Sequence, residues 1–132
     1  MKNLILFSIL FFIIPSCTPK IKSVLAPVKF DSIENDFDIF VLPIEDSLPD
    51  SLTYVGDLKI SDSGFSVDCG YNSVITNAKS QARSSGANII KLTEIKSPNF
   101  ASTCYRIKAK MYRNLNTSVI NDVKSKIDLR NK

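Results

Sequence analysis

Thr103-Cys104-Tyr105-Arg106-Ile107-Lys108-Ala109-Lys110-Met111-Tyr112 is the stretch from which the fold is read. Tyr105, Ile107, Ala109 and Met111 recur at every second position. Arg106, Lys108 and Lys110 fill the positions between. A period of two sends alternate side chains to opposite faces of a strand. One face is then apolar and packed and the other basic and open, as in a sheet with one wet side. The basic stripe, with Tyr112 beside it, reads either as a solvated outer face or as a contact surface. As a contact surface it suits anionic lipid headgroups or another polyanion, or a protein partner with Tyr112 as an aromatic anchor.

Upstream, Ala87–Ile95 is a second strand, rich in β-branched residues and apolar on both faces, as expected of a central strand. Gly86 before it sits where a left-handed helix C-cap is expected. The helix so ended spans about Asn72 to Ser85, with Asn72 or Ser73 as N-cap. Its stripe of Val74, Ile75, Ala78 and Ala82 is made of small residues and allows close approach to a sheet. Thr53–Ile60 is a strand with Tyr54, Gly56, Leu58 and Ile60 on one face and Asp57 and Lys59 on the other. Ser61-Asp62-Ser63-Gly64 is a turn, and Phe65-Ser66-Val67 reads as a short returning strand. Phe37–Leu42 is a further strand, closed by Pro43 and followed by loop chemistry to Ser51. The order β-β-(β)-α-β-β predicts an α+β fold: a small antiparallel or mixed sheet with one helix on one face, in two layers.

This domain covers residues 37–113. Residues 17–36 read as a tether, interrupted by Pro19 and Pro27 and without apolar period. Residues 114–132 form a polar tail. Val119, Val123 and Ile127, four apart, allow a short helix there, and a frayed terminus fits equally well.

Composition narrows the chemistry. The chain carries a net charge of +4 and no histidine. Its Lys and Arg are scattered, with no run long enough to follow a phosphate backbone, so no nucleic-acid partner is expected. Without histidine, His-based catalysis is excluded and the commonest transition-metal ligand is missing. There is no glycine-rich phosphate loop. Asp57, Asp62 and Asp68 are spread around turns and read as solvated turn residues. The alternatives, an acid–base pair or a hard-cation site, lack the required pairing and Asp-x-Asp-x-Asp-Gly spacing. No catalytic residue, cofactor or metal site is assigned.

The N-terminus supplies the next constraint. Lys2 is a short positive region, and Leu4–Ile14 is an 11-residue apolar stretch. As a helix it spans roughly 16 Å, about half of a hydrocarbon core, too short for a membrane crossing. Ile14-Pro15-Ser16-Cys17 follows, a secretory signal ending at a cysteine. It resembles the lipobox of bacterial lipoproteins; a plain signal peptide with a chance cysteine is the alternative. The resemblance implies removal of residues 1–16, a thioether-linked diacylglycerol on Cys17 and an acylated amine. The chain would then be held to a membrane by its N-terminal lipid. Thr18, not aspartate, follows Cys17. In Gram-negative lipoproteins that favours the outer membrane, with the domain facing the periplasm.

Two further cysteines remain, Cys69 and Cys104, separated by 35 positions. In an exported chain they are expected to pair. A reactive or metal-binding thiol pair is the alternative, disfavoured because neither lies in Cys-x-x-Cys and no histidine is present to activate one.

Val55-Gly56-Asp57-Leu58, then Cys69, then an alanine-bearing helix ending in Gly86-Ala87-Asn88, then Cys104-Tyr105-Arg106, resemble the Rcs outer-membrane stress-sensor lipoproteins. The helix and its Gly-Ala-Asn turn also look like small bacterial domains classed as heavy-metal-binding or as lipoproteins of unknown function. The sensor family has two interlocked disulfides. Cys69 and Cys104 match one; the second would fall near Ile95 and Lys110, where this chain has no cysteine. The family also uses a long, basic, proline-rich tether to engage β-barrel assembly proteins and an inner-membrane regulator. Here the segment from Thr18 to Asp36 reaches only roughly 65 Å at full extension. The resemblance implies a lipid-anchored, non-enzymatic envelope module that senses stress through protein contacts. A metal- or small-ligand-binding domain on the same scaffold is the alternative.

Overall fold

A computed structural model of the chain describes residues 18–64 and 68–130. Five strands form one mixed sheet and two helices pack on it. In chain order these are β1 (Lys20–Leu25), β2 (Phe40–Leu42), β3 (Thr53–Ser61), α1 (Tyr71–Ser84), β4 (Ile89–Lys96), β5 (Arg106–Arg113) and α2 (Thr117–Arg130). The strand order across the sheet is β1-β3-β5-β4-β2. Only the β2–β4 pair is parallel. The α+β architecture expected from the sequence is the one found. The short strand expected at Phe65-Ser66-Val67 lies outside the described residues.

The alternating stretch around Ile107 is the central strand. Its apolar positions Ile107, Ala109 and Met111 are buried under α1, beside Leu58 and Ile60 of β3 and Ile90 and Leu92 of β4. Helix α1 meets them with Val74, Ala78 and Ala82, none of them exposed to solvent. The methyl-sized side chains allow the helix to settle onto the sheet, as the small-residue stripe predicts. Its N-cap is Gly70, with no side-chain capping bond, rather than Asn72 or Ser73. Ser73 instead donates its hydroxyl to Asp68.

Two bulges adjust which residues face the core. Between Leu92 and Glu94 the register against β5 shifts, so Thr93 is the extra residue. Ile90, Leu92 and Ile95 then all point to α1 despite their uneven spacing. A second shift lies between Tyr54 and Gly56. It turns Tyr54 to the opposite face from Leu58 and Ile60, correcting the expectation that the three share a face. Tyr54 packs edge-on to Tyr112, with ring centroids 5.8 Å apart.

Cys69 and Cys104 are bonded, with Cα atoms 5.0 Å apart. The bridge joins the approach to α1 to the approach to β5, and the Tyr105 N–H donates to the Cys69 carbonyl at 3.1 Å. It therefore clamps the helix layer to the central strand at the strand's start.

The Gly-Ala-Asn turn has a physical role at each position. Gly86 has φ +79°, and a Cβ there would lie 2.5 Å from Phe30 Cβ and 2.6 Å from the Asp31 carbonyl oxygen. Ala87 is fully buried. Asn88, also buried, uses its side-chain amide like a strand partner. It donates to the Asn114 carbonyl at 2.7 Å and accepts from the Asn114 N–H at 2.9 Å.

The segment read as a tether is largely built into the domain, which corrects that reading. Lys20–Leu25 pairs antiparallel with Gly56–Ser61 of β3 as an edge strand. Its six side chains are all exposed, so backbone hydrogen bonds rather than burial hold it. Residues 26–36 then wrap past the end of α1. Ile33 is buried, and its N–H donates to the Arg83 carbonyl at 2.9 Å. Arg83 in turn donates to the carbonyls of Glu34 and Phe37. Arg113 donates to the carbonyls of Gly86 and Asp31 at 2.7 and 3.1 Å.

The tail is also structured. Asn116 caps α2, its side-chain oxygen accepting from the Ser118 N–H at 3.0 Å. Val123 is buried against Leu42 and Ile89, with Phe40, Leu52, Tyr112 and Ile127 around them. Arg130 pairs with Asp46 at 2.5 Å. Helix α2 thus covers the β2 end of the sheet face opposite α1. The folded unit runs from Lys20 to Arg130, beyond the 37–113 expected.

Candidate functional site

What α2 leaves uncovered is the β1–β3–β5 side of that second face. Strand register decides which residues stand there. Lys22 lies opposite Lys59, Lys59 opposite Lys108, and Lys108 opposite Glu94. Directly opposed residues of antiparallel strands share a face at close spacing. Three lysines therefore stand side by side across three strands, ending at one glutamate. The adjoining rows add Lys20 and, at the other edge, the Lys96–Arg106 pair, and then the Asp57–Lys110 pair. With Lys91, which stands opposite Lys110, eight cations share this face with two carboxylates, Asp57 and Glu94.

Glu94 is held by two of the cations. Lys108 approaches it to 2.5 Å and Lys96 to 2.8 Å. Hydrogen bonds from Lys108 and then Lys96 lower its pKa to about 2, well under the usual carboxylate value. Asp57 is directed to Tyr54. The Tyr54 hydroxyl is raised above its ordinary pKa by desolvation first, then by its hydrogen bond to Asp57. The ion pairs among the described residues take none of Lys20, Lys22, Lys59 and Lys110. Between the lysine stems runs a shallow groove of about 390 Å³, lined by Lys22, Val24, Asp57, Lys59, Thr93, Lys108 and Lys110 among others. It continues toward Arg106 and Lys96 as a second recess of about 220 Å³.

The residues singled out from the sequence fall unequally into this site. Lys108 and Lys110 are exposed on the open face, as the alternation requires. Arg106 is on the same face but half-buried, and donates to the Ser97 carbonyl at 3.3 Å. Tyr112 points the same way, yet it is packed at the margin of α2 and against Tyr54, so it is a wall of the site rather than a free anchor. Cys17 lies outside the described residues. Sequence reasoning missed Lys20, Lys22 and Lys59 as members of the cluster. Lys59 was readable as an outward residue of β3, but its neighbours become visible only once β1 is known to pair there.

Lys91, in contrast, is not available. Its ammonium donates to the carbonyls of Pro43, Ile44 and Asp46, tying the β2–β3 loop to the sheet. Asp62 is also spent within the fold. It accepts from Ser102 at 2.7 Å and from the Gly64 N–H at 2.8 Å, and these bonds hold its pKa below the usual value. Among the described residues no three of the potential metal ligands gather closely enough to hold an ion. No helix among them is long and apolar enough to cross a membrane. No protein-family model, curated protein or solved structure matches the chain.

Proposed function

We propose that this chain is an envelope lipoprotein, acylated at Cys17, that acts without catalysis as a recognition or stress-sensing module. Its working surface is the uncovered basic half of the sheet, presented to the periplasm from the outer membrane. The observation that carries this reading is the row Lys22–Lys59–Lys108. Like charges placed directly opposite one another oppose sheet formation. Only Lys108 of the row is offset within the fold, by Glu94, so Lys22 and Lys59 work against the sheet, and the natural use of the row is to meet an anionic partner. The disulfide and the tied-down segments 26–36 and 117–130 support the reading, because they hold the face rigid. Lipidation supplies the location: two acyl chains fix a domain at a membrane where partners are met without search through bulk solvent.

The test is charge reversal on β5. Lys108→Glu with Lys110→Glu is expected to keep the circular dichroism spectrum and disulfide of the parent. It is expected to lose the partner recovered by in-cell crosslinking from the parent. A folded variant that recovers every crosslinked partner unchanged means that the face is only solvated.

A further inference from the structure

We infer that the basic face docks on the anionic headgroups of the very membrane that holds the lipid anchor, so that the domain lies on the bilayer instead of standing off it. The inference rests on the acylation proposed above and adds a geometry. If residues 17–36 were a free tether, the domain could stand tens of ångströms away. The structure removes that freedom, because β1 already begins at Lys20. Three residue steps separate Cys17 from Lys20, a reach of about 10 Å at most.

The strand that starts there is itself the edge of the basic face. Lys20 and Lys22 belong to it, and Lys59, Lys108 and Lys110 follow strand by strand. Lys20, where the chain enters β1, stands at the corner of the face, opposite Ser61, with the Arg106–Lys96 pair at the same end of the sheet. A lipid within that reach of Lys20 holds this corner close to the headgroups, and the rest of the face comes inside the screening distance, roughly 8 Å at physiological salt, when the domain lies flat. The cytoplasmic leaflet is the best-known anionic surface, and the same attraction of clustered Lys and Arg holds for any leaflet rich in anionic lipid. The charge is of the right sign and spread over a flat, β-built surface, which suits a plane of phosphates better than one small anion. Val24, 71% exposed between the lysines, adds an apolar contact at headgroup depth.

The test uses the acylated full mature protein reconstituted in vesicles. Mass spectrometry of the N-terminal peptide comes first: an unmodified Cys17 overturns both the lipoprotein reading and this one. With acylation in hand, lysines are labelled by an amine-reactive ester on pure phosphatidylcholine and on vesicles with about 30 mol% phosphatidylglycerol. Lys22, Lys59, Lys108 and Lys110 are expected to react at least about threefold more slowly on the anionic vesicles, with Lys79 on the opposite layer unchanged. The protection is expected to vanish in about 0.5 M salt. In Lys22→Glu with Lys59→Glu, the remaining lysines are expected to lose their protection. Equal labelling on the two vesicles overturns docking. If labelling is equal there but these lysines are shielded in native envelopes, the face belongs to an acidic protein, and the recognition reading stands while this inference falls.

Discussion

The two faces of the sheet are made by the same strands under opposite rules. Toward α1, every residue of the β3, β4 and β5 core is apolar, and two bulges shift the register so that none is misdirected. On the other face the register does nothing to separate like charges, and Lys22, Lys59 and Lys108 fall in line. Half of that second face is closed by α2 with the same apolar logic as the first. The chain can therefore cover a sheet face and does so where folding gains from it. The uncovered half is different because its composition differs, and a difference of that kind points to use rather than to stability.

The largest expected effect sharpens the first side of this comparison. Cys69→Ser with Cys104→Ser releases the clamp between α1 and the central strand. For a loop of 35 residues the chain-entropy relation gives a loss of about 4 kcal/mol, read as a lower denaturation midpoint. A loss under about 1 kcal/mol means that the covered face is held by packing alone. The second prediction has the opposite sign. Lys59→Thr removes the middle of the lysine row and keeps a good strand former. It is expected to raise stability by roughly 0.5 kcal/mol while weakening docking on anionic vesicles. A variant that loses stability instead would show that the row serves the fold, and the comparison breaks.

The smallest effect is in acid. Glu94 has its pKa lowered to about 2 by Lys108 and Lys96. A carboxylate with a depressed folded-state pKa stabilises the fold above its unfolded value, near 4.5, and that contribution is lost as pH falls through the folded value. Thermal melts of the parent and of Glu94→Gln are therefore expected to differ above about pH 5 and to converge toward pH 2. Because about a third of the Glu94 side chain remains open to solvent, screening will keep the difference slight. A constant offset across the whole range would assign the residue another role.

Much of the architecture was legible from local pattern. The alternation in β5, the small-residue stripe of α1 and the glycine that ends it each follow from one side-chain period or one backbone requirement. The interior placement of β4, between β5 and β2, was legible too, from apolar residues on both faces, although the reason is a bulge at Thr93 plus cover by α2 over Ile89. What was hidden shares one cause: the signal depends on a remote partner. Lys20-Ile21-Lys22-Ser23-Val24-Leu25 buries no side chain, so it carries no hydrophobic pattern and is a strand only because β3 offers its edge. Val119, Val123 and Ile127 mark a helical stripe, but only Val123 is fully buried, which is too little to separate helix from frayed tail. The lysine cluster was half visible for the same reason. Lys108 and Lys110 announce themselves within one strand, and Lys22 joins them only through pairing.

The position of β5 has a consequence for how the chain assembles. It is the middle strand of the sheet and the last one in sequence. Before Arg106–Arg113 has been synthesised, β1 can pair only with β3, and β2 only with β4, the latter over three residues. Neither pair is a stable unit in water. Most contacts of the sheet are thus long-range closures that wait for a single late segment, the arrangement associated with slow, all-or-none folding. A chain cut before Cys104 is not a smaller version of this domain but two loose ribbons without a centre, with Cys69 kept waiting for a partner that arrives just ahead of the keystone strand.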